Sequence, residues 1–221
     1  MIFEEKKIIL KDGRSAVIRS PQKGEGEELL SLIKTASGET ENLLRYPEEW
    51  NITSEQEEAW IESVRNSESV YNIVCFVEGR AAGNCELRFL PGIKMGHRAT
   101  LGISILKKYW SLGIGSAFFS EIIKLAKAHG TEIMELEFIE GNERARCLYE
   151  KFGFKIICEK PFAFKLKDGS YKKEYSMQCY LNLLFEFKGK LKKQGLSLAI
   201  NKKLEGRYKP APFNLLNGEI K

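Results

Sequence analysis

Histidine is nearly missing from this chain: His97 and His129 are its two, and no Cys-x-x-Cys occurs in its 221 residues. A metal site built from imidazole and thiolate therefore lacks a ligand set, and no metal is expected. Cysteine is sparse as well. Cys75, Cys85, Cys147, Cys158 and Cys179 are odd in number and show no paired spacing, so they are read as buried thiols rather than as a disulfide framework. Long apolar runs are also absent. No stretch approaches the ~20 apolar residues of a membrane span, and no membrane partner is expected. The opening Met1-Ile2-Phe3-Glu4-Glu5-Lys6-Lys7 is too charged for a secretory leader, so the expected location is cytoplasmic. No Gly-Lys-Ser/Thr occurs, which excludes a nucleotide P-loop.

What is present describes an ordinary globular chain, 43% hydrophobic and long enough to bury one substantial core. Charge is uneven along it. Residues 182–221 carry +6, from nine Lys and Arg against three Glu, whereas residues 1–181 carry −1. The domain boundary is accordingly expected at 181, with 182–221 a basic extension. Such a tail suits an acidic partner or simply an appended arm; nucleic acid is not expected as a partner, while a homodimer is admitted.

Patterning along residues 1–181 predicts an α/β layer fold. Ile8–Leu10 and Ala16–Arg19 flank an Asp12-Gly13 turn, which reads as a hairpin. A helix is predicted over Gly26–Ala36 with Leu29, Leu30, Leu32 and Ile33 inward. Ser54-x-x-Glu57 reads as a capping box opening a second helix with Trp60, Ile61 and Val64 inward. Tyr71–Val77 and Ala82–Phe89 form a second hairpin about Glu78-Gly79-Arg80. His97–Leu106 is then a strand and Gly115–Ala128 a helix, and Lys155–Leu166 with Tyr171–Leu181 closes the sheet.

Two stretches carry chemistry. The first is Lys107-Lys108-Tyr109-Trp110-Ser111-Leu112-Gly113-Ile114-Gly115-Ser116, a Gly-x-Gly turn from strand into helix. Free amides at the start of a helix suit an anion. A dinucleotide fold is excluded, because Gly113-x-Gly115-x-x-Phe118 lacks the third glycine and sits mid-chain. The second runs from Met134 to Phe154: an alternating strand, Asn142 as helix cap, a short helix with Ala145, Leu148, Tyr149 and Phe152, and Gly153 as its stop.

Together these stretches resemble the acetyl-CoA-binding core of the GCN5-related N-acetyltransferase (GNAT) superfamily. Its hallmarks are a Gln/Arg-x-x-Gly-x-Gly/Ala loop and a later series of Asn, a small residue, Leu-Tyr and Gly-Phe. The resemblance implies a mixed, mostly antiparallel central sheet with helices on both faces and two strands splayed around acetyl-CoA. The backbone of Ile103, Ser104 and Ile105 would follow the pantetheine arm. Residues Trp110, Ser111, Leu112, Gly113, Ile114, Gly115 and Ser116 would hold the pyrophosphate; Asn142 would contact the cofactor arm, and Ala145 would leave it room. Trp110 departs from the family's Gln or Arg, so phosphate binding would lean on backbone amides and on Lys107 or Lys108.

By the same resemblance Tyr149 would protonate the leaving thiolate. Glu137, twelve residues upstream, forms with it a pair similar to that of bacterial ribosomal-protein alanine N-acetyltransferases and would take the amine proton. Many family members place an acid where this chain has Thr100, and Glu86 is a second candidate base. Catalysis by positioning alone is a further route. The expected acceptor is a small cationic amine or a peptide N-terminus, drawn by an acidic, aromatic lip over Gly38–Trp50 with Glu55, Glu57 and Glu58. The hairpin tip Lys167-Asp168-Gly169-Ser170 is another place for specificity. Non-catalytic alternatives are an acyl-CoA-binding sensor and an adaptor working through the tail.

Overall fold

A computed structural model of the chain describes residues 1–181. Its elements run β1 (Lys6–Ile9), β2 (Ser15–Arg19), α1 (Gly26–Gly38), α2 (Ser54–Asn66), β3 (Val70–Val77), β4 (Arg80–Phe89), β5 (Arg98–Ile105), α3 (Ile114–Ala128), β6 (Ile133–Ile139), α4 (Glu143–Lys151), β7 (Lys155–Lys165) and β8 (Tyr171–Tyr180). The strands form one eight-stranded sheet in the order β1-β2-β3-β4-β5-β6-β8-β7. Every neighbouring pair is antiparallel except β5 with β6. The mixed, mostly antiparallel sheet expected from the sequence is therefore present. The basic extension 182–221 lies outside the described residues.

The middle of the sheet is covered on both faces. In β3 the consecutive residues Ile73, Val74, Cys75, Phe76 and Val77 are all buried, and a strand can bury successive residues only when both faces are packed. The edge behaves differently. Among the described residues β7 has no strand neighbour on its outer side, and it is exposed along most of its length. The expectation that all five thiols are buried fails for this reason: Cys158 lies on β7 and Cys147 on the outer face of α4, and both are exposed, while Cys75, Cys85 and Cys179 are buried.

The start of α2 also differs from expectation. The cap is Thr53 rather than Ser54, with Gln56 N–H donating to Thr53 Oγ1 at 3.3 Å and Thr53 N–H donating to Gln56 Oε1 at 2.9 Å. A box one residue earlier serves the same orphan amides equally well. It leaves Glu57 out of the cap, and Glu57 turns into the molecule at 5% exposure.

Close approach of backbones fixes β4 against β5. A Cβ placed on Gly83 would lie 2.7 Å from the carbonyl oxygen of Ser104, which cannot give way without moving the strand. Gly102 on β5 has nothing within 4 Å of such an atom. Gly83→Ala is expected to lower the unfolding free energy by about 1–3 kcal/mol. Gly102→Ala should stay within about 0.5 kcal/mol of the parent. Urea unfolding of the two variants measures the difference.

Candidate functional site

β5 and β6 begin as a parallel pair and then part. Their register runs only from Arg98–Ile133 to Thr100–Glu135, although β5 continues to Ile105 and β6 to Ile139. Past Thr100, β5 keeps β4 as its neighbour on one side, and β6 keeps β8. Among the described residues the facing backbone edges of 101–105 and 136–139 are thus left without a strand partner, as an extended polar ligand laid between them requires. Ile103 and Ser104 line the resulting cleft, and Ser104 Oγ donates to Asn84 Oδ1 at 2.5 Å across to β4.

The glycine loop follows at the end of β5. Ser111 and Gly113 both have positive φ, +64° and +103°, which turns the chain sharply into α3. Gly113 is the N-cap and supplies no side-chain acceptor, so the amides of Ile114, Gly115 and Ser116 enter the helix without one. That donor set fits a pyrophosphate. Gly115 has a second task, because a Cβ there would meet Leu148 Cδ2 at 2.7 Å. The second glycine of the motif therefore lets α4 sit directly on the first turn of α3.

Trp110, in the place of the family's cationic residue, is an anchor. Its indole Nε1–H donates to the Ile105 carbonyl at 2.7 Å, tying the loop to the end of β5. Among the described residues the cations hydrogen-bonded to the loop are not Lys107 or Lys108. The Lys107 backbone amide is held by Glu39 at 2.6 Å, and the Lys108 ammonium lies over the Tyr109 ring. Instead α4 supplies them: Arg144 stacks its guanidinium 4.5 Å from the Trp110 ring centroid and donates to Ser111 Oγ at 2.8 Å. Lys151 donates to Ser116 Oγ at 3.2 Å. Sequence reasoning missed both. The available signal was that they flank the Leu-Tyr series on a helix whose first turn had to return to the loop.

Asn142 caps α4 as expected, its Oδ1 accepting from the Ala145 amide at 3.3 Å. Tyr149 is 5% exposed and borders the cleft. Its ring is held among Phe119, Phe138 and Phe154, with centroids 5.5, 6.0 and 6.4 Å away. Burial pushes the phenol's pKa well above its usual value.

Glu137 lies on the same cleft, where Lys160 donates to it at 2.8 Å and Ser176 at 3.2 Å. The Lys160 hydrogen bond holds its carboxyl below the usual pKa. Glu86 also faces the cleft and is bound by Arg88 at 2.8 Å. The cleft measures about 760 Å³, with α2 and the segment after α1 forming the wall opposite the strands.

Much of the acidic lip is already engaged by the protein. Glu49 accepts from the Tyr46 amide at 2.6 Å, Glu58 accepts from the Gly24 and Gly26 amides at 2.7 and 3.0 Å, and Glu48 pairs with Lys167. The lip and the hairpin tip, two separate expectations for specificity, meet here. The Lys167 amide donates to the Tyr46 hydroxyl at 3.2 Å and its ammonium lies 4.0 Å from that ring's centroid.

Comparison with solved structures returns the same architecture. A GNAT-family acetyltransferase from Streptococcus pneumoniae superposes with a TM-score of 0.70 at 26% identity, covering 75% of this chain and 99% of that one. The yncA protein from Salmonella typhimurium, solved with acetyl-CoA, gives 0.65 at 17% identity over 76% and 95% of the two chains. A ribosomal-protein-alanine N-acetyltransferase from Brucella melitensis gives 0.64 at 22% identity over 74% and 99%. The last two likenesses concern the fold. Among curated protein sequences nothing matches. Residues 37–154, more than half of the chain, match the model of the acetyltransferase (GNAT) family. The chain that splays β5 from β6 and closes the gap with a glycine loop and Tyr149 belongs to the GNAT acetyltransferase family.

Proposed function

We propose that this protein is an acetyl-CoA-dependent N-acetyltransferase acting on a primary amine, either of a small cationic molecule or of a peptide N-terminus. The observation that carries the reading is a buried phenol, Tyr149, bordering the cleft between the splayed strands. Acetyl-CoA supplies the thioester carbon that the amine attacks and the thiol that leaves. The unpaired edge of Ile103, Ser104 and Ile105 aligns the pantetheine arm, and the Ile114, Gly115 and Ser116 amides hold the pyrophosphate. Asn142 and Ala145 flank that path.

Arg144 takes over the charge that Trp110 gave up. Stacking on the indole fixes the guanidinium beside the loop while leaving its remaining N–H groups for phosphate oxygens. Lys151 adds a second positive charge at Ser116. Neither cation is on the loop itself, so cofactor binding depends on α4 docking as well as on the Gly-x-Gly turn.

Tyr149 donates its proton to the departing sulfur. Because burial raises its pKa, the phenol stays protonated across the working range, and it gives the rate no alkaline limb below about pH 10. Glu137 accepts the amine proton through water. Lys160 stabilises its charged form and lowers its basicity, so positioning of the amine against the thioester supplies most of the rate. The sensor reading draws on this same pairing, since a carboxylate already engaged by lysine is a weak base.

Tyr149→Phe is expected to lower kcat by about 10²-fold while calorimetry finds acetyl-CoA binding unchanged. An unchanged kcat removes the acid role, and binding without turnover in the parent protein returns the sensor. Arg144→Ala should weaken acetyl-CoA binding about tenfold by calorimetry, as expected for the loss of one charge-assisted contact. Glu137→Gln should cost less in kcat than Tyr149→Phe; a larger loss would make Glu137 the principal base.

A further inference from the structure

Four carboxyl groups line the cleft: Glu57, Glu86, Glu137 and Glu174. Three already have cations, Arg88 for Glu86 and Lys160 for both Glu137 and Glu174. Glu57 has no ion pair among the described residues. It is also the most secluded of the four, 5% exposed, and its Oε1 is sealed from solvent with no hydrogen-bond partner. A buried acceptor left in this state is costly, and an apolar side chain would serve packing better. A donor brought in by a ligand, met by the carboxyl once it turns from its sealed position toward the cleft that Glu57 lines, accounts for its presence.

Its setting points to the kind of donor. Glu57 shares its wall of the cleft with Trp50, Trp60, Ile33 and Ile52. Trp50 is pinned by its Nε1–H donating to Ser37 Oγ at 3.0 Å. Arg45 already lies over the Trp50 ring, 4.7 Å from its centroid, and an unpaired carboxylate on a largely apolar wall favours a cationic donor over a neutral one. The backbone carrying Glu57 is also held in place. Glu58 binds the Gly24 and Gly26 amides, and a Cβ on Gly26 would lie 2.7 Å from the Ser54 carbonyl and 2.8 Å from the Glu58 amide. The first turn of α2 is thereby clamped to the start of α1.

Tyr149, Ile103 and Ser104, where acetyl transfer takes place, belong to the wall formed by α4 and the strands, whereas Glu57 belongs to α2. We propose that Glu57 anchors the acceptor by receiving a hydrogen bond from an ammonium group other than the one acetylated, so that diamines are the preferred substrate class. The inference rests on the transferase reading of the cleft for the reaction, but not for the binding. No covalent step involves Glu57. It is a specificity residue.

The test is calorimetric titration of the full chain, saturated with coenzyme A, with α,ω-diamines from diaminopropane to diaminohexane and with the monoamines of matching length. In the parent protein at least one diamine should bind about tenfold tighter than its monoamine. Glu57→Gln should erase that preference and leave coenzyme A affinity unchanged, and Glu57→Asp should retain part of it. Thermal unfolding of Glu57→Gln at or above the parent midpoint shows that the fold is intact. Equal affinity for diamines and monoamines in the parent, or a preference that survives in folded Glu57→Gln, overturns the proposal. Thiol release from acetyl-CoA is read alongside. Diamine binding without release keeps the anchor and removes the transferase reading.

Discussion

The loss of pairing between β5 and β6 after Thr100 is the constraint on which the rest of the site depends. A parallel pair that continued would satisfy its own backbone and leave no polar edge for a ligand. By separating, the two strands expose the edge at Leu101–Ile105 and let Glu137, Phe138 and Ile139 face a common space with Ser104. Each strand can part because it keeps a full antiparallel neighbour, β4 for β5 and β8 for β6. The closing hairpin β7–β8 therefore supports the cleft although, among the described residues, its outer strand has β8 as its one strand neighbour.

The same parting puts α4 under a geometric demand. Its N-terminus must come to the glycine loop, its Leu148 must fit over Gly115, and its Tyr149 must reach the cleft from within an aromatic cluster. One short helix and its cap thus make three separate contacts. Arg144 on its first turn meets the loop, Asn142 caps its N-terminal end, and Tyr149 borders the cleft. The exchange of a loop cation for Trp110 works because that helix is already there. An indole anchored on Ile105 offers a face on which the Arg144 guanidinium can rest.

Electrostatics inside the cleft are arranged by pairing rather than by net charge. Lys160 satisfies two carboxylates and Arg88 a third, and the lip uses Glu39, Glu48, Glu49 and Glu58 to hold backbone or lysine. A count of acidic residues in this region would overstate its attraction for a cation. Glu57 stands apart because the box at Thr53 and Gln56 caps the helix without it. The local rule of helix capping and the distribution of charge in the cleft are joined at that residue.

Much was legible before any coordinates. Alternation and turn chemistry predicted every strand and helix to within a few residues, because Asp12-Gly13, Glu78-Gly79-Arg80 and Lys167-Asp168-Gly169-Ser170 are local signals read from neighbours in the chain. Gly113, Asn142 and Gly153 were legible for the same reason, since each answers to the conformation of its own segment, whereas Tyr149 stood out only through the resemblance to the family's Leu-Tyr series. The partners of charged groups were not. Arg144 on Ser111, Lys160 on Glu137 and the exposure of Cys158 depend on which segments meet, and ion pairs over tens of residues leave no spacing to read. The sequence by itself determined the elements, their order and the residues able to do chemistry. Tertiary structure decided which carboxylates were paired, which cation lies on the glycine loop and which thiols were exposed, since those are properties of contacts between distant segments.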